Sequence, residues 1–270
     1  MSTSTSSDDD ASTSSGSTDP STTGSTTDEP ATTSSSSTET SDTSSVESTV
    51  LVSIDHGVSP PALMVIVAAT ASAAAQCDLG PAASYDSLVF DRDNQLLAHN
   101  VATDRIERID ACDCGFQAIG PTDLGTVEMS IDGDGELIGL DVGLDAFVRL
   151  DPDTGLGNII GPLGVETDDA ALAWSEPAAV AHVLDATGDQ LMVLDTATGL
   201  LSGAVPLGTD ITNPGIEVLG DDPTLYMCTG TTLSTLDTAT GGITPIGTLA
   251  FAGACTMLAA PREAVDCLEP

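Results

Sequence analysis

The sequence predicts an all-β fold, a β-propeller most simply counted as five four-stranded blades. Three observations predict it: a recurring hairpin signature, one-blade spacing between its copies, and strand sets at the two chain ends that complete each other. The signature is an apolar strand followed by Asp-x-x-Thr-Gly, found at residues 147–155 (FVRLDPDTG), 191–199 (LMVLDTATG) and 233–241 (LSTLDTATG). The Asp side chain accepts a backbone N–H inside the turn, and the Gly supplies the positive φ with which the chain re-enters a strand. A second apolar segment follows each turn and ends in a Gly-Pro-Leu-Gly-like stop, at 158–164, 202–208 and 243–249.

Two copies are degenerate. Residues 106–120 (IERIDACDCGFQAIG) keep the Ile-Asp and the closing Ile-Gly but place Cys112 and Cys114 in the turn. Residues 63–80 (LMVIVAATASAAAQCDLG) align without gaps on residues 191–208. The apolar run at 62–75 also invites reading as a signal or membrane segment. It is too short to span a bilayer, no Lys or Arg precedes it, and Ala-Ala-Gln before Cys77 lacks the aliphatic residue of a lipoprotein box. It reads as strand. The five copies start at 63, 106, 147, 191 and 233, steps of 43, 41, 44 and 42 residues.

Inner strands are expected at 88–90, 127–130, 171–174, 216–219 and 255–258, and second strands at 96–99, 137–140, 180–184, 224–228 and 49–54. The N-terminal unit thus lacks an inner strand and the C-terminus offers one alone. Pairing them closes the ring and removes exposed edges. A four-bladed ring with a loose N-terminal hairpin, or an open solenoid, is the alternative. With its Leu-Asp-x-x-Thr-Gly turns and Gly-Pro-Leu-Gly ends, the repeat resembles the quinoprotein-like, lactonase-like (YVTN-type) bacterial propellers over nearly all of residues 49–260. The resemblance implies a fold that hosts unrelated functions, and no catalytic motif of any member is matched.

Ahead of the propeller, residues 1–48 hold nine acids and no basic or aromatic residue. They cannot bury enough surface to offset chain entropy. The expected organisation is a disordered Ser/Thr/Asp-rich linker at 1–48, the propeller at 49–262 and a C-terminal tail at 263–270. The linker resembles spacers that hold secreted or lipid-anchored bacterial proteins off a cell surface. No signal peptide is visible in the chain. Net charge is −37, with no lysine and five arginines, so nucleic acid and anionic membranes are repelled. No membrane span is expected. Cations, basic proteins and neutral carbohydrates remain as partners, and a monomer is expected. Six cysteines without Cys-x-x-Cys point to disulfides in an oxidising, extracytoplasmic compartment over a zinc site. Cys228, ending a second strand, and Cys255, opening the next inner strand, form the expected pair. The other four allow three connectivities.

Propeller ligands usually sit at the channel mouth. The face built from the loops entering the inner strands and those joining second to third strands gathers Asp55, His56, Asp104, Asp123, Asp141, Asp145, Glu166, Asp168, Asp169, Asp185, Asp189 and Asp210. Such carboxylates suit Ca²⁺, or form a solvated acidic rim. Glu128 and Glu217 fall at equivalent places on two inner strands, where they would ligate a metal, act as an acid–base pair or line a wet channel. The candidate binding residues are therefore Glu128, Glu217, Asp123, Asp168 and Asp210. Asp132-Gly-Asp134-Gly-Glu136 reads as a hairpin turn, Trp174 as core, and no catalytic residue is assigned. The expected function is a secreted or cell-surface binding module without a cofactor. A Ca²⁺-dependent hydrolase or lactonase using channel carboxylates is the alternative.

Overall fold

The computed structural model describes residues 48–125 and 127–269. The expected Ser/Thr/Asp linker lies, up to residue 47, outside the described residues. Nineteen strands and no helix are found among the described residues. Blade 1 holds β1 (Val50–Asp55), β2 (Ala62–Val67) and β3 (Ser72–Asp78). Blade 2 holds β4 (Tyr85–Phe90), β5 (Leu96–Asn100), β6 (Arg105–Ile109) and β7 (Phe116–Pro121). Blade 3 holds β8 (Val127–Ile131), β9 (Leu137–Asp141), β10 (Ala146–Leu150) and β11 (Gly157–Pro162). Blade 4 holds β12 (Ala170–Ser175), β13 (Val180–Asp185), β14 (Gln190–Leu194) and β15 (Leu201–Pro206). Blade 5 holds β16 (Gly215–Val218), β17 (Leu225–Thr229), β18 (Thr232–Leu236) and β19 (Ile243–Thr248). Each blade is an antiparallel meander from inner to outer strand.

Blade 1 is completed by the C-terminus, as the strand count requires. The join is narrower than a full strand. Val52 and Ala259 exchange both backbone hydrogen bonds, at 2.8 and 3.0 Å, and form an isolated bridge. The rest of the segment divides its bonding between neighbours: Cys255 N–H donates to Gly230 O of blade 5 at 2.6 Å, while Ala252 and Gly253 donate to Asp55 of blade 1.

Five hydrophobic clusters fill the five seams between adjacent blades. Leu88 and Phe90 pack toward blade 1, and Val89, between them, packs toward blade 3. The outer strands are largely exposed, whereas the strands inside them are largely buried on both faces and several read as apolar runs. This is why β2, ALMVIV, imitates a signal segment: Leu63 belongs to the seam with blade 2 and Ile66 to the seam with blade 5.

The signature turns form as their residues dictate. Asp110, Asp151, Asp195 and Asp237 each accept the N–H two residues on, at 2.8 to 2.9 Å. The turn glycine answers two demands. Gly155 and Gly241 have φ of 80° and 71°. A Cβ on Gly155 would come within 2.4 Å of Gly120 O, and one on Gly241 within 2.3 Å of Pro206 O, because each turn leans on the outer strand of the preceding blade.

All three disulfides lie at the closure. Cys228–Cys255 ties β17 to the C-terminal segment, Cys77–Cys114 ties β3 to the β6–β7 turn, and Cys112–Cys267 ties that same turn to the chain end. Leu268 is buried between blades 1 and 2, and Ser48 Oγ donates to Glu269 Oε1 at 3.1 Å. No helix among the described residues is long and apolar enough to cross a membrane.

Candidate functional site

The inner strands all run in one sense, so their first residues form one mouth of the ring, here the upper, and their last residues the other. Most acids of the upper rim are engaged by backbone. Asp104, Asp145 and Asp189 occupy one repeat position at φ of 48° to 50°. They bind across to the next blade's approach: Asp104 accepts Thr122 Oγ1, Asp145 accepts Thr167 N–H at 2.7 Å and Asp189 accepts Ile211 N–H at 2.7 Å. Asp55, Asp141 and Asp185 end the second strands, are buried, and accept N–H groups of the turns that follow.

Asp55 accepts three, from Gly57, Ala252 and Gly253 N–H, at 2.6 to 2.9 Å. Burial alone would raise its carboxyl, but these donors outweigh it and hold the group below the usual carboxylate range. Asp55→Ala is expected to cost about 1 to 3 kcal/mol, since it removes the buried acceptor of three backbone N–H groups at the ring closure. Urea denaturation of the variant measures this.

The carboxylates left facing the upper mouth are Asp86, Glu128, Asp168 and Asp169, in a cavity of about 310 Å³ shared with Tyr85, Asn213 and Thr256. Burial, reinforced by the charges of Asp86 and Asp169, pushes Glu128 well above the usual carboxylate range. Asp169 accepts Asn213 N–H at 2.7 Å. Asp86 accepts from His99 Nδ1 at 2.8 Å, and Asp104 stands 3.6 Å from His99 Nε2. Burial opposes the charge on His99, but the two aspartates prevail and raise its pKa. Sequence reasoning misses this buried ion pair. Its only signal is a lone His in an otherwise apolar second strand.

The structure brings Glu128 and Asp168 together and leaves the other candidates apart. Asp123 and Asp210 are exposed and lie outside the mouth cavity. Glu217 is not equivalent to Glu128. Glu128 pairs with Leu140 one residue from the upper end of β8, whereas Glu217 pairs with Tyr226 one residue from the lower end of β16. The axis between them narrows to a gap of about 10 Å³ lined by Glu128, Met129, Ile216 and Met257, so the two glutamates do not share a space. Among the described residues no group of three or more Asp, Glu, His or Cys is disposed to hold a metal ion.

Glu217 instead lines a recess of about 120 Å³ at the lower mouth, to which every blade contributes, with Ser130, Trp174, Glu176, Asp221 and Arg262 as its polar wall. Trp174 is set firmly. Its N–H donates to Ser130 Oγ at 3.0 Å, its indole N–H donates to Glu176 Oε2 at 2.8 Å, and a Cβ on Gly133 would stand 2.8 Å from the ring. Arg262 is anchored through its backbone, whose N–H donates to Asn94 Oδ1 at 2.9 Å. Burial pushes Glu217 up to about 8, against the donors Val218 N–H and Ala260 N–H and the charge of Arg262.

No protein-family model matches the sequence, and no curated protein matches it. Solved structures do match in fold. A chain of the nidogen/laminin complex superposes with a TM-score of 0.57 at 14% identity, over 80% of this chain and 99% of that one. A protein of unknown function from Bacteroides thetaiotaomicron VPI-5482 gives 0.51 at 15% identity, over 66% of this chain and 53% of that one. A catalytically inactive form of virginiamycin B lyase from Staphylococcus aureus, with quinupristin, gives 0.46 at 13% identity, over 74% of this chain and 67% of that one. At these identities the likeness is one of architecture: the chain is a five-bladed β-propeller.

Proposed function

We propose that this propeller is an extracytoplasmic protein-binding module, related to the YVTN-type bacterial propellers its repeat resembles. One observation carries the reading. The residue directly after the signature turn is Leu156 in blade 3 and Leu200 in blade 4, each 50% exposed, and in blade 2 it is Gly115, followed at once by Phe116, 59% exposed. The same position holds Ser72 in blade 1 and Gly242 in blade 5. Three consecutive blades thus each present a large exposed apolar side chain directly after the turn or one residue beyond it, with Ile159 of β11 also 52% exposed. A group of exposed large apolar side chains on neighbouring blades of a protein of charge −37 marks an interaction surface rather than a solubilising one. Three disulfides suit an oxidising compartment, and the similar chain of the nidogen/laminin complex belongs to an assembly of proteins.

Proteins retained by the wild-type chain from its native surface or secreted fraction are to be identified and titrated against the triple variant F116S/L156S/L200S. A true partner is expected to lose at least about 30-fold in affinity, as when two or three interface anchors are truncated. Equal binding to both forms removes the rim from the interface and the proposal with it.

A second reading, a hydrolase using Ca²⁺, is favoured by Glu128. Burial and the charges of Asp86 and Asp169 push its carboxyl well above the usual carboxylate range, the direction a general acid requires. Calorimetry with Ca²⁺ on wild type and Glu128→Gln decides it: absence of a Ca²⁺-dependent heat, or of any difference between the two forms, removes this reading.

A further inference from the structure

The lower recess combines groups that an acidic rim does not. It holds a guanidinium, an indole fixed in orientation, and carboxyl groups at two depths: Glu217 half-buried on β16, and Glu176 and Asp221 exposed at the edge. The ion pairs among the described residues fall on His99 and Arg149, and none on Arg262. Arg262 lines the recess and its charge acts on Glu217, yet among the described residues its guanidinium has no salt-bridge partner, in a chain with only five Lys or Arg side chains. Val89, Ile131 and Val218 give the recess an apolar wall.

We propose that this recess binds a small zwitterion of the α-amino-acid class, its carboxylate on Arg262, its ammonium toward Glu176 and Asp221, and an aliphatic side chain against Val89, Ile131 and Trp174. Neither charged half of such a ligand suffices alone. A simple carboxylate would satisfy Arg262 but would be driven off by the edge carboxylates and the field of a chain of charge −37. A simple cation would suit the edge but meet the guanidinium. A ligand with both charges and no net charge satisfies each group and is indifferent to the overall field. A recess of about 120 Å³ suits a small ligand rather than a polymer. Glu217, protonated at neutral pH, does not repel the ligand carboxylate and can donate to it.

Trp174 is the only tryptophan of the chain, so its fluorescence reports occupancy of this site alone. The experiment titrates the full chain with L-valine and L-leucine, with isovalerate and isobutylamine as the carboxylate-only and amine-only halves, and repeats the titration by calorimetry. A saturable signal is expected with at least one amino acid, weakened about 10-fold or more with either half. Arg262→Gln is expected to weaken binding about 10- to 100-fold, the worth of a charge-assisted bidentate contact, and Arg262→Lys to recover only part of it. Raising pH from 7 to 9 is expected to weaken binding as Glu217 ionises beside the ligand carboxylate. Three results overturn the proposal: no saturable change in wild type up to about 50 mM amino acid, a concentration above the Kd of any useful site; equal binding of isovalerate or isobutylamine; or an unchanged isotherm in Arg262→Gln whose near-ultraviolet circular dichroism matches wild type.

Discussion

Replacing Cys112 and Cys267 by Ser is expected to destabilise the folded chain by about 4 to 5 kcal/mol, the largest single effect the structure implies. The bond closes a loop with a sequence separation of 155 residues, and the loss of that constraint on the unfolded chain corresponds to about 5 kcal/mol on a chain-entropy basis. Its position matters as much as its loop. All three disulfides cluster where the ends meet, and none is found in blades 3 and 4. At the closure the backbone contributes one isolated bridge, Val52 with Ala259, where the other blades have a full inner strand. The covalent bonds therefore replace a ladder that the C-terminal segment does not form. Full reduction is expected to free residues 250–269 first, uncover the edge of β1 and open the seams of blade 1 with blades 2 and 5. Hydrogen exchange should show the amides of Val52, Cys255 and Ala259 losing protection well before those of β9 and β13. Uniform loss around the ring would place the weak point elsewhere.

The five blades are legible in the sequence because the signature turn is fixed by two independent demands, an Asp acceptor inside the turn and a Gly both at positive φ and beneath the neighbouring outer strand. Where one demand is met differently the signature fades. Blade 2 places Cys114 at the positive-φ position, and blade 1 places Ala71 there, opposite Gly247 of blade 5. The candidate site is much less legible. Asp145 and Asp168 look alike as rim acids, yet Asp145 is engaged by Thr167 N–H while Asp168 faces the mouth. The difference lies in a loop from the next turn of the chain, which spacing does not reveal. Glu128 and Glu217 appear equivalent when aligned by blade, but a shift along strands of five and four residues moves one carboxyl to the opposite mouth. The pairs Cys77–Cys114 and Cys112–Cys267 depend on where the tail folds back, and no repeat encodes that.

Stability is expected to fall as pH rises from about 5 to about 8, opposite to the behaviour of a protein whose carboxylates are all stabilised as ions. Glu217 has an ordinary value of 4.5 and is pushed by burial up to about 8 in the folded state, so between these values the folded chain holds a proton that the unfolded chain has released. The unfolded state then binds fewer protons, and each pH unit lowers stability by up to about 1.4 kcal/mol for this one group. The contribution is fully present below the unfolded value and lost as pH passes the folded one. Glu128, raised by burial and by Asp86 and Asp169, has the same sign, as does His99, whose pKa is raised by Asp86 and Asp104 against its burial. Asp55 has the opposite sign, but its window lies below the ordinary Asp value and closes before pH 5. His56 and His182, both lowered by burial, also oppose the trend but lie closer to neutrality. Glu217→Gln separates the shares: it keeps the shape of a neutral carboxyl and cannot ionise. Denaturant midpoints at pH 5 and pH 8 should differ clearly in wild type and by less in Glu217→Gln, which should be the more stable of the two at pH 8. A variant with the wild-type slope would mean that water reaches Glu217 and lets it ionise at its ordinary value. The recess it lines would then be wetter, and more negative, than its burial on β16 implies.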